Sequence, residues 1–328
     1  MHFTWIKKII HIFFGLIFFS TLYAQETYPN KPINIIVGFE KGGSTDSLAR
    51  AMAPYLSEIL NVPIHIHNIQ GLGSVVAVEA FLKANDDGYT ILCSAFSPFL
   101  PIATLRKHTD FDIDDLSYLN IQSYGNDMIA VSAKSSISSL SELLETLRST
   151  DKKLKIAVVE NSSGFLLLRL ILKEMNVPVT SLVIHEFNSD YNARDALLKG
   201  DADAIFVSSG GCELIRDKIT PLAINASERQ LEWDVPTVNE ALIPLGFKVP
   251  SRTDYMRGFA VHKSLKEKYP ERYEKLHDAF LLLMAKKSVQ RELKKNKVGG
   301  TWTGSENSTQ LIHNAFENLR QYHYLLEP

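Results

Sequence analysis

The residues best suited to chemistry follow a short apolar run near the start of the chain. Ile33–Val37 has the pattern of a strand, Gly42-Gly43 comes after it, and Ser44, Thr45 and Asp46 open an amphipathic helix. Glycines allow a tight turn and a close approach of a ligand, and hydroxyl or carboxylate side chains cap helices. The first N–H groups of a helix lack acceptors within it and can bind an anion. The segment predicts an anion-binding loop, although most turns of this kind are only connections.

Three further loops repeat this arrangement of small polar residues beside a strand or helix end. They are 161–164 (Asn-Ser-Ser-Gly), 71–74 (Gly-Leu-Gly-Ser) and 94–98, which follows an apolar run. Ligands of open α/β sheets bind beyond the carboxyl ends of the strands. Each loop alone is a weak signal, but the four together favour a small-anion site. An ATP-binding loop is excluded because no Lys followed by Ser or Thr comes after Gly43.

Signals for catalysis or metal binding are scarce. No G-x-S-x-G nucleophile motif occurs. His65 and His67 alternate on one predicted strand, but no acidic or thiol ligand nearby completes a metal set. The two cysteines are Cys93, in an apolar run that predicts burial, and Cys212. We therefore expect no catalytic residue, no metal and no cofactor, with a secreted α/β hydrolase kept as the alternative.

Composition and the N-terminus suggest an exported globular protein. The 328 residues, 45% of them hydrophobic, suffice for two packed cores. A formal charge of −2 does not favour a nucleic-acid partner. Lys7-Lys8, an apolar stretch at 9–22 and the small Ala24 form a signal-peptide pattern, with cleavage expected before Gln25. This predicts a periplasmic location, while a retained membrane anchor stays open.

Strand and helix patterns alternate through the mature chain, which predicts an α/β fold. Strands are predicted near 33–38, 63–67, 89–94, 128–133, 154–159, 182–187, 203–207 and 257–262, with a short one at 221–225. Helices are predicted near 45–60, 74–84, 138–149, 164–175, 191–199, 264–286, 287–295 and 305–322. No polar linker separates domains in series, so we expect two lobes joined by crossings at 122–127 and 250–256. The predicted organisation is a signal peptide at 1–24, a first lobe at 25–124 and 253–328, and a second lobe at 125–252.

Six ordered motifs give the chain a resemblance to a known family. They are YP-x-KPI at 28–33, V-x-F-x-x-GG-x-x-D-x-x-AR at 37–50, DGYT at 87–90, LL-x-G-x-x-D at 197–203, DVPT-x-x-EA at 234–241 and RG-F at 257–259. Through these motifs the chain resembles the tripartite tricarboxylate transporter receptors, the Bug-type extracytoplasmic solute-binding proteins. The resemblance runs from Tyr28 to about Leu319.

The resemblance implies a two-lobed periplasmic binding fold, type II-like, that closes on a ligand in the cleft between its lobes. It also implies that backbone N–H groups and water, rather than an arginine clamp, hold the carboxylates of a small ligand. The ligand would pass to membrane transporter subunits or be reported to a membrane sensor, and we expect a monomer that does no chemistry. By position in the motifs, the ligand-binding residues would be Phe39, Gly42, Gly43, Ser44, Thr45 and Asp46 in the first lobe, Ser162, Ser163 and Gly164 in the second, and Ser97 as an addition.

The chain departs from the family pattern where the ligand is expected. Glu40 and Lys41 stand where the family usually has prolines, so they put charges beside the first loop. The loop at 71–74 follows a segment that lacks the family's Pro, and the loop at 161–164 lacks one Gly and a His. These changes leave the identity of the ligand open, including a ligand without a carboxylate.

Overall fold

The computed structural model describes residues 27–149, 153–250 and 255–326. The predicted signal peptide at 1–24 lies outside these residues, and so does most of the predicted second crossing at 250–256. Within the described residues, no helix is both long enough and apolar enough to cross a membrane.

Two five-stranded sheets form the framework of the protein. The first has the order β2-β1-β3-β10-β4 and the second the order β7-β6-β8-β5-β9. In chain order the strands are β1 Ile33–Val37, β2 Ile64–Asn68, β3 Thr90–Ser97, β4 Leu116–Gly125, β5 Asp127–Ser132, β6 Lys155–Val159, β7 Val183–Phe187, β8 Ala204–Ser208, β9 Ile219–Ile224 and β10 Tyr255–His262. β10 pairs antiparallel with β3 and β4, and β5 pairs antiparallel with β8 and β9, while the remaining pairs are parallel.

Helices connect and cover the strands of both sheets. They are α1 Ser44–Leu60, α2 Val75–Leu82, α3 Phe99–Leu105, α4 Leu140–Ser149, α5 Ser163–Glu174, α6 Asp190–Lys199, α7 Ser209–Cys212, α8 Val238–Leu242, α9 Lys263–Lys268, α10 Pro270–Ala285, α11 Lys287–Lys295 and α12 Ser305–Arg320. Each sheet with its helices forms a lobe, called here the first and the second lobe. The predicted two-lobed α/β fold is confirmed.

The amphipathic stripe predicted for α1 packs into the core of the first lobe. Leu48, Met52 and Leu56 are fully buried there, and Tyr55 and Ile59 pack against the same cluster at its edge. Burying one such aliphatic side chain stabilises the fold by about 1.5–3 kcal/mol. This packing fixes the helix, and with it the position of the helix N-terminus after Gly43.

The sequence prediction missed β4, one of the longest strands. Asn120 and Gln122 are fully buried in it and interrupt the apolar pattern. The Asn120 side chain donates to the carbonyl of Thr301 and accepts from the Thr303 N–H, so these polar groups bind the C-terminal part of the chain rather than water. β4 and β5 occupy nearly all of the predicted crossing at 122–127, where Asn126 alone joins the two strands.

Two other predictions differ from the structure in the second half of the chain. The single helix predicted at 264–286 is two helices, because Pro270 lacks an N–H and restricts the residue before it. The region 207–256, predicted as connections and a short strand, also contains α7 and α8. The start of α8 carries a capping box between Thr237 and Glu240, which the sequence T-x-x-E could have revealed.

Candidate functional site

The first predicted loop is held in place by the Asp46 carboxylate. Its Oδ2 accepts the backbone N–H of Gly42 at 2.8 Å and the Nε–H of Arg50 at 2.8 Å, while its Oδ1 accepts from the Asn68 amide at 2.9 Å. Burial by itself would raise the pKa of Asp46, but these hydrogen bonds outweigh it and hold the pKa below its usual value. Gly42 has a φ of +87°, which favours glycine.

With Asp46 turned inward, the residues at the start of α1 border a small cavity between the lobes. Gly43 is the N-cap residue of α1 and has no side chain that could cap the helix. The first-turn N–H groups, which have no acceptor within the helix, therefore receive no side-chain cap. The cavity has a volume of about 30 Å³, enough to hold a water molecule. Its walls include four of the predicted ligand residues, Phe39, Gly43, Ser44 and Thr45.

The same cavity is lined by charged residues from both lobes. Arg257 projects from β10 of the first lobe and donates from Nη2 to the Ser208 hydroxyl of the second lobe at 3.0 Å. Arg194, on α6, is 5% exposed, and its Nη1 has no hydrogen-bond partner among the described residues. Two buried guanidinium groups therefore face the space at the N-terminus of α1.

Two carboxyl groups complete this charged lining. Burial raises the pKa of Asp190, although the charges of Arg194 and Arg257 oppose that rise, and its Oδ1 accepts the Ser208 N–H at 3.1 Å. Burial also raises the pKa of Glu40, and its Oε2 has no hydrogen-bond partner among the described residues. The cavity is thus lined by two buried basic side chains and two partly buried acidic side chains.

A second, larger cavity adjoins the first. It has a volume of about 700 Å³, and Ser44 and Arg257 line both cavities. Its wall includes Trp233, whose ring lies 3.8 Å from the guanidinium of Arg216, and Lys297. Small-molecule sites commonly have volumes of about 300–1,000 Å³, so the two spaces together have room for a metabolite.

The predicted contacts of the second lobe lie outside both cavities. The Ser162 hydroxyl accepts the Phe165 N–H at 3.1 Å and caps α5. Gly164 packs its Cα directly against the backbone carbonyl of Phe206 in β8. Ser163 lies beside the hydroxyl of Tyr255, whose ring packs on the cavity-lining Phe99 at 5.6 Å. In this arrangement of the lobes, Tyr255 and Phe99 lie between Ser163 and the cavity.

Residues of the first lobe cover that loop. The Asn161 amide donates to the Leu72 carbonyl at 3.1 Å, and Arg106 bonds both Asn161 at 3.1 Å and Glu186 at 2.9 Å. A Cβ at Gly73 would lie 2.8 Å from the Glu160 carbonyl oxygen. The predicted loop at 71–74 therefore forms part of the contact between the lobes.

The last predicted residue, Ser97, is also away from both cavities. It is fully buried at the end of β3, and its hydroxyl has no hydrogen-bond partner among the described residues. The structure thus brings Phe39, Gly43, Ser44 and Thr45 together at one cavity and leaves Gly42, Asp46, Ser97, Ser162, Ser163 and Gly164 outside its lining.

The sequence analysis did not assign Asp190, Arg194 or Arg257 to the site. Arg257 belongs to the RG-F motif, but nothing in that motif indicates which way the side chain points. Arg194 had a usable signal, since it stands among Ala193, Ala196 and Leu197 on the buried face of α6. A lone arginine on an apolar helix face is a candidate for a buried charge with a specific role.

Two α/β lobes with a polar cavity between them define the class of two-lobed solute-binding proteins. The sequence model of the tripartite tricarboxylate transporter family receptor matches residues 48–322, and the chain belongs to this family of receptors. The resemblance predicted from the six motifs is confirmed.

Individual relatives agree with this assignment. A UPF0065 protein in the gbd 5' region of Cupriavidus necator is 24% identical over 312 residues, 92% of this chain and 88% of that protein. Protein BugT of Bordetella pertussis is 37% identical over 102 residues, so the match spans 31% of either chain. The structure of MatC from Rhodopseudomonas palustris with bound malate has a TM-score of 0.76 at 22% identity, covering 92% of this chain and 100% of MatC. This last similarity concerns the fold.

Proposed function

We propose that this protein is an extracytoplasmic receptor that captures a small carboxylate-containing ligand between its lobes. The observation that carries the proposal is the cavity in which the N-terminus of α1 and the buried guanidinium groups of Arg194 and Arg257 meet. Membership of the receptor family supports a transport or sensing role, and the bound malate of MatC supports a carboxylate ligand.

The carboxylate would be held by two kinds of donor. First-turn N–H groups of α1, at Ser44 and Thr45, point toward an anion placed at the helix end, where the helix dipole contributes about 0.3–2 kcal/mol. Arg257 would add charge-assisted hydrogen bonds, each worth about 1.5–3 kcal/mol. The proposal thus keeps the backbone cradle that the family resemblance implies, but it departs from that resemblance by adding Arg257, because the resemblance implies that no arginine clamp holds the carboxylates.

The buried thiols give little support to the alternative of a hydrolase. Burial raises the pKa of Cys93 well above its usual value and that of Cys212 to about 12. A thiol needs its thiolate form to act as a nucleophile. Both cysteines would stay protonated near neutral pH, so neither is a good candidate for covalent catalysis.

Export and handover to a membrane partner belong to the same proposal. The basic Lys7-Lys8 pair and the apolar stretch at 9–22 support a signal peptide, which would place the mature chain in the periplasm. There the receptor would deliver its ligand to transporter subunits or to a membrane sensor, acting as a monomer.

Calorimetry with a panel of mono-, di- and tricarboxylates tests the site. We expect Gly43→Val to weaken the tightest ligand of the panel tenfold or more, because its branched side chain would fill a cavity of about 30 Å³. Gly43→Ala serves as the matched smaller change, since its Cβ would meet only the Glu40 residue, at 3.3 Å from its carbonyl oxygen.

Arg257→Gln should weaken the same ligand roughly tenfold to a hundredfold, as expected for a lost charge-assisted hydrogen bond. Arg291→Gln, which removes an exposed guanidinium on α11, is the control and should leave the affinity unchanged. Wild-type affinity in folded Gly43→Val and Arg257→Gln variants, or no binding of any carboxylate by the wild type, would show that the proposed function is wrong.

A further inference from the structure

Two buried atoms of opposite charge lack partners at the small cavity. Arg194 Nη1 and Glu40 Oε2 have no hydrogen-bond partner among the described residues, and both side chains line the cavity. A buried donor or acceptor left without a partner costs about 1–3 kcal/mol, and more when it is charged. The two atoms belong to different lobes, so a ligand placed between the lobes could satisfy both at once.

The position of Arg194 depends on a glycine of the neighbouring helix α7 in the same lobe. A Cβ at Gly211 would overlap the Nη1 atom of Arg194. Gly211 lies in α7, directly after β8, and also lines the cavity. The absence of a side chain at Gly211 thus leaves room for the guanidinium group of Arg194 at the cavity wall.

The balance of charge indicates what kind of ligand fits. The lining has two guanidinium groups, Arg194 and Arg257, and two carboxyl groups, Glu40 and Asp190, whose ionised forms would balance the two positive charges before any ligand binds. A ligand that brought only negative charges would leave a net charge beside two buried guanidinium groups and two partly buried carboxyl groups, and an unbalanced charge away from bulk water is costly. A ligand carrying both a carboxylate and an ammonium group would keep the balance and would give the Oε2 atom of Glu40 the donor that it lacks among the described residues, beside the hydrogen bond that the carboxyl group receives from Ser189.

We propose that the site selects an α-amino acid, with Arg194 and the N-terminus of α1 on its carboxylate and Glu40 on its ammonium group. This inference rests on the proposed function, because it uses the same cavity and places the ligand carboxylate at the same N-terminus of α1. It makes Glu40 the residue that distinguishes an amino acid from the corresponding simple acid.

The two adjoining cavities suit the two parts of such a ligand. The charged groups line the space of about 30 Å³. A modest separation of the lobes would enlarge this space enough to admit the polar end of an amino acid. The space of about 700 Å³ begins at Ser44 and Arg257 and would receive the side chain. The larger space is big enough for acidic, aliphatic and aromatic side chains of the ligand, so the test compares amino acids of all three classes.

The experiment measures binding of matched acids that differ only in the α-ammonium group. The pairs are L-aspartate with succinate, L-glutamate with glutarate, L-leucine with 4-methylpentanoate and L-phenylalanine with 3-phenylpropanoate, each titrated into the wild-type protein by calorimetry. In at least one pair we expect the amino acid to bind tenfold or more tightly than its partner.

The same pairs are then titrated into variants. Glu40→Gln should reduce the preference for the amino acid at least tenfold while leaving the simple acid within a few-fold of its wild-type affinity. Glu174→Gln, which removes an exposed carboxylate from the second lobe, is the control and should keep the preference. Gly211→Ala should weaken both members of the pair, because it displaces the Arg194 guanidinium.

The outcomes separate this inference from the proposed function. If simple acids bind the wild type as tightly as the amino acids, the receptor for carboxylates stands and the selection of amino acids is wrong. If the preference survives Glu40→Gln, the role of Glu40 is wrong. If neither member of any pair binds, and no other carboxylate does, both proposals fail.

Discussion

Single residues of the first loop divide into those that shape it and those that border the cavity. The sequence placed Asp46 with Gly43 and Thr45 as a group of ligand contacts. In the structure the Asp46 carboxylate is occupied by Gly42, Arg50 and Asn68. A sequence motif records that an aspartate is needed at this position, but it does not record which way the side chain points.

The structural role of Asp46 predicts a pH-dependent loss of stability. Because hydrogen bonds lower the pKa of Asp46 in the folded protein, its ionised form stabilises the fold above its ordinary pKa of 3.8, and this contribution is lost as the pH falls through the folded value. Asp46→Asn should therefore lower the free energy of unfolding by about 1.5–3 kcal/mol at neutral pH. The deficit should shrink under acid conditions.

Urea denaturation of wild type and Asp46→Asn across this pH range makes the measurement. Asp217→Asn, which changes an exposed carboxylate, is the control and should follow the wild type. A deficit that stays constant from neutral to acid pH would mean that the charge of Asp46 contributes nothing to the fold.

At the scale of residues, the sequence did not predict which charged side chains would line the cavity. Glu40 was recognised as a departure from the family pattern, and the structure places it in the cavity lining. Arg194 was read as part of an ordinary helix. Its burial depends on Gly211, which is 17 residues further on in the chain and approaches it only in the folded protein. A contact between residues this far apart in the chain cannot be predicted from a local sequence pattern.

At the scale of elements, the close approach of α5 to β8 depends on one glycine. The sequence assigned Gly164 to ligand binding, but a Cβ there would overlap the carbonyl of Phe206. Backbone atoms inside a sheet cannot move aside as a flexible side chain can, and overpacking of this kind typically costs about 1–3 kcal/mol.

Gly164→Ala is therefore expected to destabilise the protein by about 1–3 kcal/mol or more. Gly210→Ala is the matched control, because its Cβ would meet nothing nearer than 3.9 Å and should be close to neutral. Thermal or urea denaturation of both variants is the measurement. Equal stability of the two variants would show that helix and strand are packed less closely than the structure indicates.

Most elements were predictable because their apolar patterns are local. β1, β6 and α1 show clear periodicity, and their positions agree with the prediction to within a residue or two. β4 could not be found in this way, since its buried Asn120 and Gln122 are satisfied by Thr301 and Gly299, far along the chain. Pro270 indicates the break between α9 and α10 in the sequence, although the prediction gave a single helix there.

At the scale of the whole molecule, apolar and polar contacts join the two lobes around the cavity, since Phe39 and Phe99 of the first lobe share a buried cluster with Val159 and Val207 of the second. Arg106 bridges to Glu186 at 2.9 Å, and Lys297 bridges to Glu213 at 2.6 Å. Partly exposed ion pairs are worth only about 0–1 kcal/mol each. The ion pairs thus add little to the contact between the lobes, and the buried apolar cluster contributes more of the free energy that holds them together.

A ligand bound between the lobes stabilises only the folded protein. At a hundredfold excess over its Kd, such a ligand adds about 2.7 kcal/mol to the free energy of unfolding. Ligands with contacts in one lobe alone would give the same thermal shift, so stability by itself does not locate the site.

The crystal structure of the complex with the tightest ligand of the carboxylate and amino-acid panels is the most direct measurement of that location. We predict a ligand carboxylate at the N-terminus of α1, within hydrogen-bonding distance of the Ser44 or Thr45 N–H, with Arg257 beside it. A ligand bound only at 161–164, or on the outer surface of either lobe with the cavity unchanged, would contradict the assignment of this cavity as the binding site.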